Sequence, residues 1–250
     1  MQSGQVRGYE SMSSLVKVVT VLMAIYVLMT IVSIGSSLLQ LSVLNQLKAG
    51  VDVPEEILQM NDLREFVIAI TFMGVFIALA ICFLRWVYRA NRNAQALVRS
   101  PLTISPGWSV GWYFVPIMNL FKPYQAVKEI WQASTPAVAD WRKAPVSPIV
   151  GFWWTFWILD NIASQASVRL SFRADDVSEL ITSTGVDIGS SAIGIPSAVL
   201  ALLLVRNLHN MQEQKSVEEP VGVAHSCPSC GEEFTEVTAV CPVCGARCLT

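Results

Sequence analysis

Five of the six cysteines crowd together near the C-terminus: Cys227, Cys230, Cys241, Cys244 and Cys248. Cys227-Pro228-Ser229-Cys230-Gly231 and Cys241-Pro242-Val243-Cys244-Gly245 are two matched turns, with ten residues between Cys230 and Cys241. Tetrahedral zinc takes four soft ligands at about 2.3 Å, and paired Cys-x-x-Cys turns supply them. Proline presets each turn, and glycine accepts the positive φ that follows. The expected ligands are therefore Cys227, Cys230, Cys241 and Cys244, with zinc as cofactor. Four thiolates leave no open position, so the site reads as structural. A pair of disulfides and a redox dithiol are the competing readings; His225 and Cys248 are spare ligands. A unit of about 25 residues cannot fold on core burial alone, so bound metal would supply its folding energy. Cys82 stands apart among apolar residues and reads as a small core hydrophobe.

A second group of polar residues lies inside an apolar stretch: Asp160, Asn161, Ser164, Gln165 and Ser167. Asp160 sits about 16 Å into a helix that begins near Ile149, at 1.5 Å per residue. A charge at that depth costs about 2.5–3.5 kcal/mol or more unless paired, protonated or hydrated. Trp153, Trp157, Asp160, Ser164 and Ser167 share one helical face, which should look inward. Thr30, Ser33, Ser37 and Gln40 form a matching stripe, and Ser190, Ser191, Gly194, Pro196 and Ser197 fall at the same level. Two readings stay open: helices packed closely through small residues, or an outward hydrated vestibule built on Asp160, Asn161, Ser164, Ser33 and Ser37. A buried, protonated Asp160 is a third.

These residues must be positioned by membrane-spanning elements. The chain has 250 residues, 53% hydrophobic and only 14% charged, where soluble chains carry about 25%. Formal charge is −2, which points away from nucleic acid. The apolar content excludes disorder for most of the length. A bilayer core needs about 20 apolar residues in helix. Four segments fit: 18–41, 66–84, 148–170 and 188–205. The first exceeds a signal-peptide core and lacks a clean cleavage site, so it reads as a retained anchor. The expected fold is an all-α, four-helix transmembrane bundle over 15–210. A cytosolic N-terminus (1–14), a linker (211–225) and a zinc-ribbon-like unit (226–250) complete it.

Lysine and arginine set the expected orientation. With both termini in the cytosol, thirteen cationic side chains lie inside and four outside: Lys48, Arg64, Arg169 and Arg173. The central loop, 85–147, is then cytosolic, and the Cys turns occupy a reducing compartment. Arg85, Arg89 and Arg92 recur at i, i+4 and i+7, a basic face suited to anionic headgroups or to simple anchoring. Residues 105–121 are aromatic and apolar but interrupted by Pro116 and glycines. This suits a re-entrant or interfacial element better than a fifth span. From Pro123 the pattern is an amphipathic helix, with Tyr124, Val127 and Trp131 on its apolar face. It would lie on the inner surface or pack against the bundle.

The strings RWVYRANRNAQAL from Arg85, SPGWSVGWYFVPIMNLFKPYQAVKEIW from Ser105 and GFWWTFW from Gly151 carry a resemblance. Over about residues 15–210 the chain resembles the bacterial domain of unknown function 4328 family. That resemblance implies a multi-pass membrane protein, often with a zinc-ribbon-like Cys unit attached, and implies no activity. No phosphate loop, His-Glu-x-x-His motif, nucleophile elbow or kinase string is present. The two histidines, His209 and His225, fall at or beyond the end of the fourth span. The expected function is a non-enzymatic anchor, sensor or interaction protein of the cell membrane. Its partners would be the bilayer, with anionic lipids, an unidentified protein met through the ribbon or central loop, and further copies of itself. A small oligomeric transporter or channel component using Asp160 is the alternative; a lipid-modifying enzyme at the inner interface is a third reading.

Overall fold

The computed structural model describes residues 8–138, 140–217, 225–226, 229–230, 233–234, 241 and 243–247. Among them the chain forms six α-helices: α1 (Ser13–Lys48), α2 (Glu55–Ala96), α3 (Pro106–Gly111), α4 (Lys122–Ser134), α5 (Pro148–Ser171) and α6 (Val177–Val217). Two short strands, β1 (His225–Ser226) and β2 (Glu233–Phe234), pair antiparallel near the C-terminus. Where no water reaches the backbone, a helix satisfies every amide within its own segment. That is why apolar runs of this length are helical.

Three helices, α1, α2 and α6, are long and apolar enough to cross a membrane. At 24 residues α5 has the length, but Asp160, Asn161, Ser164, Gln165 and Ser167 make it more polar. It nevertheless runs alongside α6 in the most extensive helix pairing of the fold, and α1 packs on the other flank of α6. The lipid-type surface is plain on α2, where Phe66, Val67, Ile70, Met73, Phe76, Ile77 and Ile81 are all exposed. Along α1, Val16, Val19, Met23, Thr30 and Ser37 face inward, while Val18, Val21, Leu28 and Ile31 face out.

The helices overrun the apolar segments read from sequence. At 1.5 Å per residue, the 42 residues of α2 span about 63 Å, well beyond a bilayer core of about 30 Å. Its C-terminal turns carry Arg85, Arg89 and Arg92 past the apolar zone, as the sequence suggested. One boundary differs. The polar stretch after residue 210, expected to be linker, continues α6 to Val217, with Gln212 and Ser216 fully buried. Tertiary hydrogen bonds explain this: Gln212 Nε2 donates to the Ala90 carbonyl and to Ser134 Oγ, both at 2.9 Å. Lys215 Nζ donates to the Ala133 and Thr135 carbonyls, also at 2.9 Å, capping the C-terminal end of α4.

The core is richest where α4 and the segment before it meet the long helices. Trp86, Val87, Ala90, Ala126, Val127, Ile130, Trp153, Leu204, Val205 and Leu208 are essentially inaccessible. The apolar face of α4, expected either on the lipid surface or on the bundle, packs on the bundle. Ser105 caps α3 by accepting from Trp108 N, with Pro106 in the first turn. Ser147 and Pro148 start α5 in the same way. Between α3 and α4 the chain makes a γ-turn: Met118 N donates to the Pro116 carbonyl at 2.7 Å, and Ile117 adopts φ +67°. A positive φ is costly for a β-branched residue. Here it turns the chain at Pro116 and leaves Phe114, Ile117 and Phe121 exposed.

Candidate functional site

The Cys unit is built on two local devices. β1 and β2 bracket the first Cys-x-x-Cys turn, with His225 opposite Phe234 and Ser226 opposite Glu233. The second turn closes on itself: Gly245 N donates to the Cys241 carbonyl at 2.9 Å, and Cys241 N donates to Ala246 O at 2.8 Å. Gly245 has φ +73°, the conformation that the glycine after each turn was expected to supply. Cys230, Cys241 and Cys244 bring their sulfurs within 4.8 Å of one another and could hold a metal ion. Cys230 Sγ and Cys241 Sγ lie 3.7 Å apart, and none of the described cysteines forms a disulfide. Cys241 is buried; Cys230 and Cys244 are exposed. Cys227 and Cys248 lie outside the described residues.

At the opposite end from the α6–α4 clamp, α1, α2, α5 and α6 enclose a second constellation. Asp187 of α6 accepts hydrogen bonds from Ser37 Oγ of α1 and Ser167 Oγ of α5, both at 3.4 Å. Glu65 of α2 accepts from Ser36 Oγ at 2.5 Å and pairs with Arg64 at 3.1 Å, both through Oε1. Arg64 is further held by Ser36 Oγ at 2.8 Å and by Asn61 Oδ1 at 2.6 Å. Glu65 and Asp187 lie near enough to repel each other. Between them is a cavity of about 420 Å³, lined by Ser37, Gln40, Glu65, Ser167, Ser183, Thr184 and Asp187 among others.

The inward face of α5 expected from its polar stripe is the one observed. Trp153 and Ser167 are buried, and Trp157, Asp160 and Ser164 are half-buried. Asp160 faces α6 at Gly194: a Cβ placed there would stand 3.2 Å from Asp160 Oδ1. Ser164 Oγ meets Ser190 Oγ at 3.5 Å, and Asn161 donates to the Trp157 carbonyl within its own helix. Asn161 and Ser164 line a smaller recess of about 250 Å³ with Gln165 and Arg169. Ser33 is half-buried and stands outside this hydrogen-bond network. Of the residues expected in a vestibule, only Ser37 lines the larger cavity, and Asp160 lines neither. The carboxylates of the larger cavity are Glu65 and Asp187, neither of which the sequence marked out as a site residue. The serine stripe on α1 was the available signal, but nothing in one sequence says which acid it faces.

The basic face of α2 meets the chain's own N-terminal segment. Glu10 pairs with Arg89 and, at 3.3 Å, with Arg92, while Arg85 is exposed and makes no ion pair among the described residues. Asn93 locks that segment from below: its Nδ2 donates to Glu10 O at 2.8 Å, and its Oδ1 accepts from Glu10 N at 3.3 Å. Burial, and secondly the nearby Glu213 carboxylate, push the Tyr9 phenol above its ordinary range. The aromatic segment before α4 runs along the first half of α5. Trp154 Nε1 donates to the Leu120 carbonyl at 3.0 Å, and the Tyr113 and Trp157 rings meet edge to face at 6.3 Å.

A family model, described as a domain of unknown function (DUF4328), matches residues 49–210. The match begins after α1, whereas the resemblance was expected from about residue 15. No curated protein and no solved structure matches the chain.

Proposed function

From the premise that this chain belongs to the domain of unknown function (DUF4328) family of undetermined activity, we propose that it is a non-enzymatic, multi-pass membrane protein. It anchors a cytosolic metal-stabilised module and presents it to a protein partner. The observation that carries this reading is the closed sulfur cluster of Cys230, Cys241 and Cys244, on a chain whose long helices are apolar enough to span. Zinc suits the donor set: a tetrahedron with metal–sulfur bonds of about 2.3 Å places its sulfurs about 3.8 Å apart. The 3.7 Å between Cys230 Sγ and Cys241 Sγ is close to that length, which supports the reading. Cys227 would be the fourth ligand, and no position would remain for substrate.

In this reading α5 is the fourth span, supported by its long pairing with α6. Residues 105–121 re-enter the inner leaflet. Trp157 lies nine residues along α5 from Pro148, about 14 Å, so Tyr113 reaches that depth beside it. Both termini lie in the cytosol because thirteen of seventeen cationic side chains then do. Arg85, exposed, with Arg89 and Arg92 at its side, contacts anionic headgroups, and the exposed apolar flank of α2 suits a second copy of the chain.

Metal analysis of the purified full-length protein tests the module: one zinc per chain is expected, lost in Cys241→Ser. A stoichiometry near zero in protein purified without chelator overturns it. A tag after Thr250 that reacts from outside intact cells overturns the topology. The second reading, a transporter component built on Asp160, is favoured by the close approach of Asp160 to Gly194 on α6. It predicts that Asp160→Asn folds normally and abolishes the physiological effect of the protein.

A further inference from the structure

We infer that the open recess bordered by α1, α2, α5 and α6 is a binding site for a small protonated primary amine, held by Asp187 and Glu65. The inference goes beyond the anchoring role and does not depend on which face of the membrane the cavity opens to. Its volume, about 420 Å³, falls in the range of small-molecule sites and is far too large for a bare ion. Its lining is polar where an ammonium needs acceptors: the hydroxyls of Ser37, Ser167, Ser183 and Thr184, the Gln40 amide and two carboxylates.

The charge count is uneven. Arg64 pairs with Glu65 from outside the cavity through Nη2, which also donates to Asn61, while its Nε donates to Ser36. Among the described residues Asp187 has no cationic partner. Its two hydroxyl donors stand at 3.4 Å, where O–H···O bonds to a carboxylate normally close to about 2.5–2.7 Å. A carboxylate accepts about four hydrogen bonds, so Asp187 is left with spare acceptor capacity facing an open volume. Glu65 is also open on one side, since its bonds all go through Oε1. A primary ammonium, with three donors and one positive charge, satisfies both deficits. A quaternary ammonium has no donors and prefers an aromatic cage. The one ring in the lining, Phe172, is turned out at the rim with 88% of its surface exposed.

The test is calorimetric titration of the full chain in lipid nanodiscs with methylamine, ethanolamine and 1,4-diaminobutane. Tetramethylammonium and sodium chloride at matched ionic strength are the controls. Saturable binding of at least one primary amine and none of the controls is expected. Asp187→Asn should weaken it at least tenfold, and Glu65→Gln should weaken it less. Ser171→Trp, which fills the cavity from an exposed rim position, should abolish it and carries the test if Asp187→Asn fails to fold. Absence of saturable amine binding, equal binding of tetramethylammonium or sodium, or unchanged affinity in Asp187→Asn or Ser171→Trp overturns the inference.

Discussion

The two ends of α6 meet their neighbours differently. At one end Gln212 donates to a backbone carbonyl and a hydroxyl at 2.9 Å, and Lys215 closes the last turn of α4. Large aromatics fill the space beside them: Trp86, Trp153 and Trp154 are all buried, and Trp153 and Trp154 lie 5.4 Å apart. At the other end Asp187 has only long contacts to hydroxyls, and five of the residues lining the gap beside it are serines or threonines, too small to close it. Bulky rings with a single polar atom pack to interior density and need few partners. Small hydroxyl residues let helices approach but leave volume where a carboxylate holds them apart. One helix thus has a clamped end and a hollow end, and Pro196 lies between them.

That contrast can be broken by mutation. Trp153→Ala removes a fully buried ring of the closed end and should cost about 3–5 kcal/mol, read by chemical unfolding of the purified protein. A loss as small as that of a surface change would mean the aromatic end is not the stability core. Gln212→Ala should come next, at about 1–3 kcal/mol, because it removes two buried hydrogen bonds to α2 and α4 and the packing of a fully buried side chain. Protease cleavage after residue 210 should accelerate in parallel, since the buried end of α6 is then released. Ser37→Ala and Ser167→Ala should each cost only about 0.6 kcal/mol, the usual size of such interhelical bonds. If either matched Gln212→Ala, the hollow end would be as tightly built as the clamped one. Gly194→Ala should be close to neutral. Alanine gains about 1 kcal/mol of helix propensity over glycine, and the added Cβ 3.2 Å from Asp160 Oδ1 takes back a similar amount. A clear gain in thermal stability would show that Asp160 swings aside freely.

The parts legible beforehand share a physical basis in local periodicity. The inward face of α5, from Trp153 to Ser167, follows from a helical repeat that needs no partner. The start of α3 at Ser105-Pro106 and of α5 at Ser147-Pro148 follows from capping chemistry written in adjacent residues. The turn at Gly245 follows from the need for a positive φ. Three features were not legible. The helical continuation to Val217 looks like a polar linker because its polarity is consumed by tertiary bonds to α2 and α4. The pairing of Arg89 and Arg92 with Glu10 is hidden because Glu10 comes from a distant stretch of chain. Asp187 and Glu65 look like loop acids because each stands at the rim of an apolar segment.

Sequence alone determined that this chain makes long apolar helices, which of their faces are polar, and that its C-terminal cysteines come as two matched turns. Those properties depend on residues within a few positions of one another. The tertiary structure decided which polar faces meet, bringing Ser37, Glu65, Ser167 and Asp187 around one cavity while seating Asp160 against Gly194 instead. A helical repeat defines a direction around one axis, but the azimuth and height at which neighbouring helices dock are settled by the packing of the whole bundle.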